Sequence, residues 1–158
     1  MTSKQEFTDE EWARIRRAPL VAGVAISLAD PGGPIEVAKE SMATLRSATL
    51  PPSQEELLAA VALDVQALAQ QRQNPLGDFR PRSGQQVLDE LGAVNELVTA
   101  KATPPEVEAF RRWLVAAAQA AADAAKEGGF MGFGAEQVSA GERQMLEQVR
   151  AALGAANS

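Results

Sequence analysis

The sequence predicts an all-α fold, packed as a single compact bundle of six to seven helices. Three observations lead there. A Ser or Thr is followed three residues later by Glu or Gln, ahead of an apolar helical pattern, at Thr8–Glu11, Ser53–Glu56, Ser83–Gln86, Thr103–Glu106 and Ser139–Glu142. In such a capping box the hydroxyl accepts a free first-turn amide, and the Glu or Gln reaches back to the amide of the cap residue. Between these starts apolar residues recur every three or four positions, with almost no strand-like alternation. Alanine is abundant and aromatics make up only 4%, a composition that favours helices and lets them approach closely.

The elements follow in order. Residues 1–8 read as a flexible N-terminus, 9–154 as the single domain and 155–158 as a frayed end. The first helix is predicted over residues 9–17, with Trp12 and Ile15 on one face. Pro19 then restarts or kinks the helix, because it lacks an amide and crowds the preceding turn. Residues 20–29 are small and apolar nearly all round, which predicts a central position. Asp30-Pro-Gly-Gly-Pro34 breaks this run, and Pro34 suits the first position of a helix to about residue 48, with Ile35, Ala38, Met42 and Leu45 on one face.

Pro51-Pro52 separates that helix from one over residues 54–72, striped by Leu57, Leu58, Val61, Val65 and Leu68. After a Pro- and Gly-containing connection, a helix over residues 85–100 turns Val87, Leu88, Leu91, Val94 and Val98 inward. The longest helix runs to about residue 127, with Phe110, Trp113, Leu114, Ala117 and Ala121 as its buried side. The last covers residues 140–153, with Met145, Leu146 and Val149 inward.

Composition narrows the chemistry. A chain of 158 residues with 46% hydrophobic and 23% charged residues suits one soluble globular domain. The formal charge of −6 argues against nucleic acid or an anionic membrane surface as partner. No apolar run reaches the roughly 20 residues that a bilayer span needs. Without cysteine there are no disulfides, Fe–S clusters or thiol nucleophile. Without histidine, Ser-His-Asp triads and His-bearing zinc or di-iron sites are excluded. Any metal would need oxygen ligands, which suits Mg²⁺, Ca²⁺ or Mn²⁺. Arg14, Arg16 and Arg17 ahead of the apolar run 19–29 imitate a secretory leader, but Glu6, Asp9, Glu10 and Glu11 cancel the charge. The expected location is cytoplasmic.

Four features are candidates for function. Phe130, Met131 and Phe133 sit among glycines in Glu127-Gly-Gly-Phe-Met-Gly-Phe-Gly134. They form either an apolar clamp or docking loop, with Trp113 beneath, or rings that plug the core. Arg80 and Arg82, just before a capped helix start, could hold an anion or simply keep a loop solvated. Asp64 and Asp123 interrupt apolar faces, either as buried ion-pair partners or, with Asp30, as ligands for a divalent cation. Trp12 and Trp113 have the spacing of core residues, and an exposed one would mark an interface.

The two ends also suggest an internal repeat. Each has a Trp-bearing, Ala-rich stretch, a Gly-Gly break (Asp30-Pro-Gly32-Gly33 and Lys126-Glu-Gly128-Gly129), and a helix carrying Glu40 and Met42 or Glu142 and Met145. This arrangement resembles tellurite-resistance TerB-like proteins, and equally a group of uncharacterised bacterial helical proteins. The TerB-like resemblance implies an all-helical stress-associated protein that binds divalent ions through acidic residues. Asp30 departs from the family pattern by preceding Pro31, and Lys126 occupies the matching position in the second unit.

The residues lead to the expectation of a non-enzymatic interaction or stress-associated module with a protein partner and no resident cofactor. A homodimer is compatible with the sequence. The alternatives are a divalent-cation-binding protein of the TerB-like type, and a small apolar ligand or enzyme pocket under the 127–134 loop.

Overall fold

The computed structural model describes residues 3–29, 34–127 and 140–154, with side chains 34–40 and 125–127 outside that description. Among the described residues the protein is all-helical, with no strand. Its helices are α1 (Asp9–Ala29), α2 (Pro34–Ala48), α3 (Glu56–Gln70), α4 (Gly84–Lys101), α5 (Pro104–Glu127) and α6 (Ala140–Ala152).

α1 and α5 are the central pair, and each packs on the other and on all four remaining helices. Their small side chains allow it. Ala18, Ala22 and Ala25 on α1 and Ala117, Ala118, Ala121 and Ala122 on α5 are all buried, so the two backbones come together without long side chains between them. Larger groups fill the space around this seam, among them Ile15, Ile26, Leu57, Leu58, Leu91, Phe110, Trp113 and Leu114. Phe110 and Trp113 meet edge to face, with centroids 6.3 Å apart, a favoured aromatic geometry.

One correction concerns Pro19. The helix does not stop at residue 17 and restart; α1 continues through Pro19. A proline inside a helix removes one hydrogen bond and costs about 3 kcal/mol. Here burial of ten α1 residues, Pro19 among them, outweighs that cost, at about 25 cal/mol per Å² of apolar surface.

A second correction concerns how α2 is rotated. Met42 was expected on the buried face, yet it is 64% exposed, while Thr44 and Ala48 are buried. Two contacts set this rotation. The Trp113 indole of α5 donates to the Ser47 carbonyl at 2.7 Å, turning that side of α2 inward. Thr44 lies directly over Gly23 of α1, where an added Cβ would come within 2.1 Å of the threonine Oγ1. The glycine is required by close approach at this crossing. The other expected apolar positions of α2, Ile35 and Ala38, lie outside the described side chains.

The capping boxes fare differently. At α1, Thr8 and Glu11 form both bonds, at 3.1 and 2.9 Å. At α5, Thr103 and Glu106 do the same, at 3.4 and 3.2 Å. At α4, Ser83 accepts the Gln86 amide, but the Gln86 carbonyl oxygen takes the Arg82 amide instead. The Ser53 box does not form: α3 begins at Glu56 and the buried Ser53 hydroxyl has no partner. Glu106 of α5 takes over, and its second oxygen accepts the Leu57 amide at 3.3 Å. One buried carboxylate thus caps two helices. The fifth box includes Ser139, outside the described residues.

The chain before α1 is tied down. Residues Lys4–Glu6 form a 3-10 turn, and Phe7 buries its ring 6.1 Å from that of Trp12. Lys101 of α4 holds this stretch by donating to the Glu6 carbonyl and to Glu11. At its other end α3 stops in a Schellman turn. The Gln73 amide returns to the Leu68 carbonyl, the Arg72 amide returns to that of Ala69, and Arg72 takes the left-handed conformation at φ 58°.

Candidate functional site

The sequence-based candidates separate in space. Asp64, on α3, accepts the Trp12 indole at 2.7 Å and the Lys4 ammonium at 3.1 Å. Burial pushes its carboxyl up, but Trp12, Lys4 and Arg16 together outweigh burial and hold it below the usual aspartate value. It joins the N-terminal turn and α1 to α3. Asp123, near the end of α5, is exposed and accepts the Gln119 amide at 3.0 Å. Asp30 lies outside the described residues. Among the described residues no three acidic side chains come together as metal ligands would.

Both tryptophans are buried, Trp12 at 3% and Trp113 at 0% exposure. Each has its indole N–H satisfied, Trp12 by Asp64 and Trp113 by the Ser47 carbonyl, as buried indoles require. Phe130, Met131 and Phe133, the apolar members of the glycine-rich stretch, lie outside the described residues.

Arg80 is engaged by its own loop, donating to the carbonyls of Gly77 and Phe79. It borders a shallow hollow of about 340 Å³ together with Arg17, Asp78 and Phe79, and Arg82 is not part of that wall. Arg17 lies over the Phe79 ring at 5.2 Å. Arg14 grips Glu90 of α4 through two bonds, at 3.1 and 2.8 Å. That fork raises the Arg14 guanidinium further and fastens α1 to α4.

A different surface brings apolar groups together. Met42, Leu50 and Leu63 are exposed at 64%, 66% and 64%. Met42, Leu45, Arg46 and Thr49 of the α2 side face Gln66, Ala69 and Gln70 of α3 across an open groove of about 390 Å³. Gln66 bridges its floor by donating to the Thr49 carbonyl at 3.4 Å. Leu63 lies one turn before Gln66 on the same helix face, and Leu50 follows Thr49 at the groove's end. Arg46 is the charged group in the wall.

Sequence reasoning missed this face because it grouped Met42 with Ile35, Ala38 and Leu45 as the apolar face of α2. A signal was present in Leu63, a leucine out of phase with the Leu57-Leu58-Val61-Val65 stripe and therefore on the solvent side of α3.

A second hollow, of about 240 Å³, lies between α1, α2 and residues 74–76 and shares Leu45 with the groove. Neither hollow includes Trp113 in its wall.

No described helix is long and apolar enough to cross a membrane. Compared with family models, with curated proteins and with solved structures, the chain gives no match. These comparisons therefore carry no information on the TerB-like resemblance.

Proposed function

We propose that this protein is a non-enzymatic interaction module whose α2–α3 face receives an apolar segment of a partner protein. The observation that carries this reading is an open groove walled by the exposed Met42, with the exposed Leu50 next in sequence to its wall residue Thr49 and the exposed Leu63 one helical turn before its wall residue Gln66. Each is about two-thirds exposed, although the same chain buries its other large aliphatic stripes. Single exposed leucines are ordinary, whereas several around one concave surface mark a contact site.

The groove is long, open and bounded by two helices, which suits an amphipathic helix laid into it with its apolar side down. Arg46 in the wall adds a preference for a partner with a carboxylate beside its apolar residues. The missing histidine and cysteine also favour binding over catalysis.

The test is affinity capture from lysate with the wild-type chain and with a Met42→Asp/Leu63→Asp variant, both checked for native circular dichroism. A protein retained by the wild type and lost with the double variant is the expected result. Equal retention on both columns, or no specific retention, would remove the proposal.

A further inference from the structure

The hollow between α1, α2 and the 74–76 turn differs from the α2–α3 groove in shape and chemistry. Its wall includes Leu20, Val24, Leu45 and Leu76, with the hydroxyl residues Ser27 and Thr44 among them, and no charged residue among the described lining residues. Leu20 and Thr44 are almost fully buried, whereas Ser41 and Asn74 at the mouth are exposed. The hollow is therefore largely apolar inside, with the Thr44 and Ser27 hydroxyls in its wall and Ser41 and Asn74 at the opening.

Its walls are fixed before any ligand arrives. On one side, the Gly23–Thr44 crossing sets the separation of α1 and α2. On the other, the 74–77 turn is closed by its own bonds. Asn74 accepts the Leu76 amide on its side chain and the Gly77 amide on its carbonyl, both at 3.0 Å, and Gly77, at a φ of 60°, opens the next turn, in which the Phe79 amide returns to the Leu76 carbonyl. This geometry leaves the Asn74 side-chain NH₂ at the mouth, without a partner among the described residues.

We propose that this hollow is a binding site for a small neutral amphiphile, with an apolar body inside and one hydrogen-bond acceptor at the mouth beside Asn74. Size, charge and polarity each limit the ligand. A dry apolar cavity of about 150 Å³ holds benzene, so the larger space here, about 240 Å³, suits a body of roughly eight to ten carbons. An ionised ligand would lose its hydration with no counter-charge in the wall, which selects against acids and amines. Apart from Thr44 and Ser27 the inner wall offers water few partners, so an apolar body over the leucine and valine side chains replaces it favourably. The proposal does not depend on the α2–α3 groove, although Leu45 borders both hollows.

The experiment uses the full chain with ¹³C-labelled methyl groups, titrated with 1-octanol and, at the same pH near 7, with octanoate and octylamine. The expected result is a saturable shift of the Leu20, Val24, Leu45 and Leu76 methyls with octanol, at least about tenfold weaker with either ion, a factor equivalent to about 1.4 kcal/mol. Val24→Phe, which fills the hollow, should abolish the shifts while the circular dichroism stays native. If Val24→Phe fails to fold, Leu76→Trp on the half-exposed turn fills the space from the other side and decides the question. The absence of a saturable shift would overturn the proposal. Equal binding of octanoate, shifts confined to the α2–α3 groove, or binding unchanged in the folded filled variant would do the same.

Discussion

Replacing Glu106 by Gln tests the most consequential single group in the fold. Its side chain is only 1% exposed and serves two helices. One oxygen accepts the Thr103 amide at 3.2 Å and the Thr103 hydroxyl at 3.0 Å, and the other accepts the Leu57 amide at 3.3 Å. Glutamine keeps the size but offers only one acceptor oxygen. If that oxygen stays with Thr103, an NH₂ group faces the Leu57 N–H, and a buried amide at the start of α3 loses its partner. A hydrogen bond to a charged group contributes about 1.5–3 kcal/mol, and an orphaned buried donor costs about as much as the bond it lost. The expected loss is therefore about 2 kcal/mol. For a chain of this length each kcal/mol moves the melting midpoint by roughly 2–4 °C, so the fall should be about 4–8 °C. Urea unfolding followed by circular dichroism measures the free energy, and thermal melting the midpoint. Glu11→Gln is the control, since it alters a capping box at the surface and, beyond α1, only the ion pair with Lys101. A cost for Glu106→Gln no larger than that of Glu11→Gln would refute the two-helix role.

Three further outcomes are expected. Gly23→Ala should destabilise by about 1–3 kcal/mol through overpacking against Thr44. Thr44→Ala should recover part of that loss, and strict additivity of the two changes in urea unfolding would contradict the close crossing. Arg72→Gly should stabilise by about 0.5–1 kcal/mol, because a side chain in the left-handed conformation carries a penalty that glycine does not; an unchanged urea midpoint would show that the Schellman turn carries no such strain. Asp64, whose carboxyl is held below its ordinary value near 3.8, contributes stability that is fully present above that value. The contribution fades as pH falls from there through the lower folded-state value. Asp64→Asn should therefore flatten this part of the acid limb in a pH series of thermal melts, and an acid limb identical to that of the wild type would count against the Lys4–Trp12–Asp64 link.

Much of the helical framework was legible because its signals are local. Leu57, Leu58, Val61 and Val65, then Val87, Leu91, Val94 and Val98, and the α5 face of Phe110, Trp113, Leu114, Ala117 and Ala121 are buried as their spacing predicts, while Leu68 and Leu88 are half-buried. Helix ends were legible where the capping residues act on their own turn, as at Thr8 and Thr103. They were not legible where the cap comes from elsewhere. Ser53 offers the right spacing for α3, yet Glu106 from a helix 49 positions further along the chain supplies the bond. Pro19 misled for a related reason, since its local penalty is plain in sequence while the burial that offsets it is tertiary.

The candidate face was hidden by one rotation. A periodicity argument scores Met42 as apolar and Thr44 as polar, and so turns α2 with Met42 inward. What turns it the other way is a glycine on α1 that makes room for a threonine, together with an indole on α5 that needs a carbonyl acceptor. Neither contact involves an apolar residue of α2, so no pattern of hydrophobicity within that helix could reveal them. Once α2 is set by Thr44 and Ser47, Met42 must face outward beside Leu45, and α3 meets it with Leu63 on its own outer side. The exposed surface is thus a consequence of two polar and steric constraints made in the core. Loosening either one, by Thr44→Ala or by replacing Trp113, should let α2 turn and carry Met42 away from the groove. Partner capture should then weaken without any substitution in the groove itself.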